Sequence, residues 1–335
     1  MVSRQIALRV VEDTQVGEAR RKAAAMASRL GMDEHDRGRL AIVVTELASN
    51  LARHARDGEL LLRTADDALW YGMEVIALDR GPGINSMSEA LRDGHSTAGS
   101  SGTGLGAVRR TADMFDIYSQ PGRGTVVLAR INPRPVRKIG DLRLGVVSLP
   151  VRGEEVSGDD WGIKQRWDSI RMLVVDGLGH GAIAAHAAIE AARIFQETPA
   201  NENLKSLLEG MHLALRSTRG AAAGIADLDS VRGQVRYAAV GNISAAVLAP
   251  DSLKNLMYQN GTLGHEMRTV REVSYPLSAG ATVLLHSDGL TRWSLDAYPG
   301  LLSHHPAILT AVLYRDFRRN RDDVTVLAVR AQEPQ

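Results

Sequence analysis

Apolar and polar residues alternate over residues 3–11, with Ile6, Leu8 and Val10 on one side, which predicts a half-buried strand. From Val16 the small and apolar positions Ala19, Ala23, Met26, Ala27 and Leu30 repeat at helical spacing until Gly31 stops them, so an amphipathic helix follows. A second helix starts near Asp33 or Asp36, acidic residues suited to a helix N-terminus, and runs through Leu40, Val43, Val44, Leu47 and Leu51 to about Ala55. Strand patterns at 59–64 and 70–79, a glycine-punctuated stretch at 80–106, a helix at about 105–114 and a strand at 124–131 complete the order β-α-α-β-β-loop-α-β. Helices bunched beside hairpins, without regular βαβ alternation, predict an α+β sandwich.

Residues 132–140 carry two prolines and no periodicity, the composition of a linker, and the texture then changes to short β-rich runs at 142–149, 171–175, 235–240, 244–249, 281–286 and 324–330. Two helical stretches interrupt them, an alanine-rich one at 180–197 and a leucine-rich one at 203–216. Sheets flanked by a helical hairpin are expected. A length of 335 residues agrees with two cores and two domains, 1–131 and 141–335.

Composition excludes more than it suggests. Hydrophobic residues at 44% and charged residues at 24% are those of a globular chain. Forty Lys and Arg against 39 Asp and Glu give a net charge of +1, so no global field draws the chain to nucleic acid or to an anionic membrane. Cysteine is absent, which removes disulfides, thiolate catalysis and cysteine-bound zinc. No run approaches a membrane span, and Arg9 and Glu12 interrupt any signal-peptide core, so the expected location is cytoplasmic.

Two constellations carry chemistry. In the first, Glu46 and Asn50 lie one turn apart on the second helix, offering hard oxygen ligands of the kind magnesium shares with nucleotide phosphates. Alone such a pair is most often a solvated helix face. Asp79-Arg80-Gly81-Pro82-Gly83 then closes an apolar strand with a carboxylate that an adenine amino group could meet, and Gly102-Thr103-Gly104-Leu105-Gly106 opens a helix whose backbone N–H groups suit phosphate. In the second, Asp159, Asp176, Asp288 and Asp322 sit at strand ends beside Gly or another Asp, where mutual repulsion is tolerable only with cations. Gly177 would let a backbone carbonyl join Asp176 as a ligand, and two divalent ions about 3.5–4 Å apart can activate water for in-line attack on a phosphoryl group.

Taken in order, Glu46 and Asn50, Asp79-x-Gly-x-Gly, Gly102-x-Gly-x-Gly and Gly124-Thr125 resemble the GHKL ATP-binding fold, and residues 17–55 and 93–126 look most like the RsbT-type serine kinases and anti-sigma factors of bacterial partner switching. That resemblance implies ATP and Mg²⁺ as cofactors, Glu46 as general base, Asn50 on magnesium, Asp79 reading adenine with Thr125 in support, and residues 84–101 as a lid. From about residue 141 the S-G-D, D-G-x-G-H-G, V-G-N, S-D-G and D-D-x-T motifs are similar to the metal-dependent serine/threonine phosphatases of the SpoIIE and RsbX branch. This implies two Mn²⁺ or Mg²⁺ ions, with Asp176 bridging both, Asp159 helping to hold one, and Asp288 and Asp322 holding the other; Asp323 is the less favoured of its pair. His180 reads as a hydrogen bonder rather than a ligand.

The expectation is therefore a bifunctional regulator, kinase and phosphatase, acting on STAS-domain proteins. The alternative makes the first domain a nucleotide-dependent capture module for a sigma factor or STAS protein, with only the phosphatase catalytic. GHKL regulators of this kind often form homodimers, but no helical seam in the sequence argues for one.

Overall fold

The computed structural model describes residues 5–66, 70–91, 104–133, 143–166 and 169–330. Gly102, residues 92–101 of the expected lid and residues 134–140 of the expected linker lie outside them. The chain divides into two compact units, Met1–Ile139 and Gly140–Gln335.

The first unit runs β1 (Gln5–Arg9), α1 (Asp13–Arg29), α2 (Glu34–His54), β2 (Glu59–Asp66), β3 (Tyr71–Leu78), a single turn α3 (Met87–Ala90), α4 (Gly104–Thr111), β4 (Met114–Gln120) and β5 (Gly124–Ile131). Its strands make one antiparallel sheet in the order β1-β2-β3-β5-β4. Local chemistry sets the helix starts. The Gln15 side chain accepts from the backbone N–H groups of Val11 and Glu12 to open α1, and Asp33 accepts from Asp36 N at 2.8 Å to open α2. The apolar faces of both helices, including Met26, Leu40 and Leu47, pack with Leu60, Leu62, Met73 and Val75 of the sheet into one core. The helix expected at 105–114 ends at Thr111, because the chain turns there into β4, an edge strand, paired with β5, whose Phe115, Ile117 and Tyr118 suit a strand.

The second unit runs β6 (Arg143–Leu149), β7 (Asp159–Arg166), β8 (Ser169–Gly177), α5 (Gly181–Glu197), α6 (Leu204–Ala214), β9 (Ala221–Asp229), β10 (Gln234–Val240), β11 (Ser244–Ala249), β12 (Ser252–Leu256), β13 (Gly261–Thr262), β14 (Glu266–Met267), β15 (Val273–Pro276), β16 (Thr282–His286), α7 (Pro306–Phe317) and β17 (Val324–Arg330). Two five-stranded antiparallel sheets, β15-β10-β9-β8-β7 and β12-β11-β16-β17-β6, face each other. The hairpin α5–α6 covers the first through Phe195, Leu207, Leu208 and Met211, and α7 packs on β6 and β17 of the second. This is a mixed α/β first unit followed by a sheet-rich unit with helices outside. The sequence reading lacks β4, β7, β9, α7 and β12–β15, and packing hides two of them. Helix α7 is buried on every side from Pro306 to Arg315, so it has no polar face to betray its period. Strand β9 is largely alanine and glycine, poor strand formers that work here because β8 and β10 enclose it.

One buried ion cluster braces the first sheet. Glu74 accepts from Arg63 Nε at 2.9 Å and from Arg130 Nε at 2.8 Å, and the Arg130 guanidinium lies 4.6 Å from the Trp70 ring. Burial pushes the Glu74 carboxyl up, but the two arginines outweigh it and hold the group below the ordinary carboxylate range. Glu74→Gln leaves two buried guanidinium charges uncompensated, which costs about 3–5 kcal/mol. Urea unfolding of the first unit should show the loss as a lower midpoint; an unchanged midpoint would show that the cluster contributes nothing net. Because the folded pKa is depressed, the stabilisation is present above the unfolded pKa and disappears as pH falls through the folded one.

Candidate functional site

Each unit carries the polar residues that the sequence singles out on defined elements. In the first, Glu46 and Asn50 stand half-buried one turn apart on α2, against which α4 packs, beginning at Gly104 and burying Gly106. Asp79 follows β3, and its Oδ1 accepts from Gly81 N at 2.6 Å, which fixes the carboxyl at the mouth of the Gly81–Gly83 turn. Thr125 is buried beside it: Asp79 N donates to Thr125 O at 3.0 Å, and Thr125 Oγ1 and Ser119 Oγ share a hydrogen bond of 2.9 Å. Gly124 is required at this junction, since a Cβ there would fall 2.0 Å from the Asp79 carbonyl oxygen.

Arg39 is a residue the sequence did not single out. From α2 it donates to the Thr111 carbonyl at 2.8 Å and pairs with Asp113 at 2.6 Å and Asp36 at 3.0 Å, tying down the last turn of α4. Its partner Asp113 is 74 residues away in the chain, so no local pattern announces the contact.

In the second unit the sheet register does the gathering. Asp159 at the start of β7 lies directly opposite Asp176 near the end of β8, a like-charge cross-strand pair that is unfavourable by itself. Asp288 comes two residues after β16, and Asp322 and Asp323 come just before its neighbour β17, so these three share one end of the second sheet. Asp159 and Asp323 are buried, while Asp176, Asp288 and Asp322 are half-buried.

The buried two are occupied with hydrogen bonds. Asp159 Oδ2 accepts from Ser287 Oγ at 2.6 Å, and Ser287 in turn accepts from Thr325 N at 3.0 Å, which joins the first sheet to the second. Asp323 accepts from the backbone N–H groups of Val151 and Gly158, each at 2.6 Å, and so anchors the segment that leads into β7. Asn242, in the V-G-N turn between β10 and β11, donates to Asp288 Oδ2 at 2.9 Å. The sequence supplies that motif, yet the Asn242 contact needs β11 laid beside β16 and is not readable from spacing. Gly177 lets β8 meet α5 closely, since a Cβ there would fall 2.2 Å from the Ala184 carbonyl oxygen. His180 is exposed and meets Glu154 at 3.1 Å.

Repulsion is visible in the acidities. Burial, then the charges of Asp288, Asp322 and Asp323, pushes Asp176 up to about 7. Burial and the facing Asp176 push Asp159 well above the usual carboxylate range despite the Ser287 bond. Burial and Asp288 raise Asp322, and burial raises Asp323 against its two amide donors. Among the described residues no three His, Asp or Glu side chains already close on one point as a metal cage. The donor chemistry nevertheless fits divalent cations: hard carboxylate oxygens, destabilised by one another, beside the backbone of Gly177.

The fold and these constellations define two known classes in one chain. The chain belongs to the histidine kinase-like ATPase domain family, which matches residues 10–131, and joins to it a domain of the Stage II sporulation protein E (SpoIIE) family, which matches residues 167–332. Among curated proteins it is 33% identical over 125 residues to the serine/threonine-protein kinase RsbT of Bacillus subtilis (strain 168), covering 37% of this chain and 94% of that one. It is 27% identical over 147 residues to the phosphoserine phosphatase RsbX of the same organism, covering 43% of this chain and 73% of that one. A solved chain from work on the bacterial stressosome as a modular system adapted to control secondary messenger signalling superposes with a TM-score of 0.53 at 28% identity, over 57% of this chain and 100% of its own. No helix among the described residues is long and apolar enough to cross a membrane.

With its pKa raised above the unfolded value, Asp176 holds a proton in the folded chain that the unfolded chain has released, so metal-free stability should be greatest below the unfolded pKa and should fall as pH rises toward 7. Thermal unfolding of the metal-free protein should therefore give a lower midpoint for the second unit at pH about 8 than at about 5, and Mn²⁺ should raise it most at the higher pH. A metal-free midpoint that climbs over this range would contradict the reading of the cluster.

Proposed function

We propose that the chain is a bifunctional partner-switching regulator whose first unit transfers phosphate from ATP to a serine or threonine of a STAS-domain protein and whose second unit removes phosphate from such a protein. The observation that carries the proposal is the pairing, in one chain, of a unit related to a kinase with a unit related to a phosphatase, each presenting the polar residues its chemistry needs. Similarity to proteins of partner switching supports the STAS substrate class.

For the kinase reaction, Glu46 takes the proton of the acceptor hydroxyl, and Asn50, one turn further along α2, would hold Mg²⁺ against the nucleotide phosphates. Asp79, oriented by Gly81 N, would receive the adenine amino group, with Thr125 behind it. The N-terminal turn of α4 would face the phosphates, on a helix whose other end Arg39 holds. Phosphoryl transfer asks for positioning and charge neutralisation, which such a small unit can supply.

For the phosphatase, Asp176, Asp288 and Asp322, with the Gly177 carbonyl, would hold the two divalent cations, with Asp159 helping to hold one. The cations supply Lewis acidity and an activated water for in-line attack. Ser287 and Asn242 orient the carboxyls of Asp159 and Asp288. With Asp323 engaged by Val151 and Gly158, Asp322 is the member of the pair that faces Asp288.

Incubated with ATP, Mg²⁺ and the STAS proteins of the same genome, the Asp176→Asn variant should accumulate one phosphorylated species by intact mass, and wild-type protein with Mn²⁺ should strip it. Adding Glu46→Ala should lower incorporation by about 10²- to 10⁴-fold while ATP still binds. Transfer that survives Glu46→Ala would refute its role as base. Absence of any transfer despite calorimetrically confirmed ATP binding would instead favour a capture module for a sigma factor or STAS protein, and full phosphatase turnover by Asp176→Asn would refute the two-cation site.

A further inference from the structure

We propose that Arg219 is the phosphate-binding arginine of the phosphatase unit, gripping the non-reacting phosphoryl oxygens of the phosphorylated substrate. The inference rests on the phosphatase reading above and adds to it a residue that lies outside every motif of the sequence.

The argument begins with register. Strands β8 and β9 are antiparallel neighbours in which Asp176 faces Ala222 and Gly177 faces Ala221. Arg219 comes two residues before Ala221, so the ladder delivers it to the same end of the sheet as Asp176. Its side chain then lies against the loop that follows Asp176: a Cβ built on Gly179 would stand 3.2 Å from Arg219 Nη1. A guanidinium is thereby held three residues along the chain from the carboxylate with the most perturbed surroundings in the half-buried group.

The side chain is exposed, but the backbone that aims it is fixed on both sides. Leu178 N donates to Gly220 O at 3.0 Å, coupling the Arg219 turn directly to the Asp176 loop. Gly220 N donates to Thr218 Oγ1 at 3.0 Å, and His265 Nε2 donates to the Arg219 carbonyl at 2.9 Å. Gly220 adopts φ +83°, and a Cβ there would fall 2.6 Å from the Leu263 carbonyl oxygen, so the turn has little room to relax.

Its charge has no internal partner. Arg171, Arg193, Arg232, Arg236 and Arg315 of the same unit each pair with a carboxylate, whereas among the described residues Arg219 makes no ion pair. Arg319, another cation at this end, acts on Asp322 and favours its charged form. Arg219 is thus a guanidinium open to an incoming anion and set against the loop that follows Asp176, and its planar fork matches two phosphoryl oxygens as an ammonium does not. Beside cations whose charge the carboxylates largely offset, a guanidinium supplies further attraction and fixes the orientation of the phosphoryl group.

The test uses the full chain loaded with Mg²⁺. Binding of inorganic phosphate by calorimetry and its competition with a phosphoserine peptide should weaken by about 10- to 100-fold in Arg219→Ala, the loss of a charge-assisted pair. KM for the peptide should rise more than kcat falls, Arg219→Lys should recover part of the affinity, and Mg²⁺ binding and the thermal midpoint should match wild type. Phosphate affinity within about twofold of wild type in Arg219→Ala, with Asp176→Asn inactive, would overturn the inference and leave the phosphatase reading intact. Parallel loss of phosphate binding, Mg²⁺ binding and thermal midpoint, not recovered by Arg219→Lys, would also overturn it by showing a structural role. Full turnover by Asp176→Asn would mark failure of the phosphatase reading itself.

Discussion

Repulsion among the carboxylates at one end of the two facing sheets is the constraint to which most of the second unit's local structure answers. Antiparallel register places Asp159 opposite Asp176, and the β16–β17 pair brings Asp288, Asp322 and Asp323 to the same end of the other sheet. A fold can hold such a group only by dividing it. Two members are buried and occupied by fixed donors: Asp159 by Ser287, and Asp323 by the backbone of Val151 and Gly158. The half-buried members share one neighbourhood, and there burial, and after it the neighbouring charges, drives Asp176 up to about 7. Asp159 stays well above the usual carboxylate range despite its Ser287 bond, so the hydrogen bonds position the buried pair without removing the repulsion that calls for cations.

The first unit solves a different problem with little charge. Its polar residues are set by close backbone approach: Gly124 against the Asp79 carbonyl, Gly81 N on the Asp79 carboxyl, Thr125 against Ser119. Charge enters mainly as scaffold, in the buried Glu74 cluster and in the Arg39 clamp on α4. The contrast suits the two reactions. Nucleotide recognition relies on shape and on N–H groups, while hydrolysis of a phosphoester needs a concentrated site for divalent ions.

Much of this is legible in the sequence, for identifiable reasons. Helix α2 is readable because one face is apolar and Asp33 caps it; the aspartates stand out because each adjoins a glycine or another aspartate and three of the four flank an apolar run. Helix α7 and strand β9 are hidden because total burial erases the polar face in one and enclosure between neighbours overrides poor propensity in the other. Asn242, Arg39 and Arg219 are hidden for a further reason: each acts across a contact that only the assembled fold creates. The difference between Asp322 and Asp323, adjacent and identical in type, becomes physical only when the amides of Val151 and Gly158 are brought to one of them.

Opposed activities in one chain would cycle ATP without result unless an input favours one at a time, so regulation is part of the proposed function. The central claim is narrower: the half-buried carboxylates form a two-cation site poised near neutrality. Calorimetric titration of the nucleotide-free protein with Mn²⁺ at pH about 7, in buffers of different ionisation enthalpy, tests it most directly. The account predicts two ions per chain, with proton release because Asp176 titrates near this pH, and loss of both binding and release in Asp176→Asn. Absence of Mn²⁺ binding, or binding that is indifferent to the buffer and to Asp176, would contradict it.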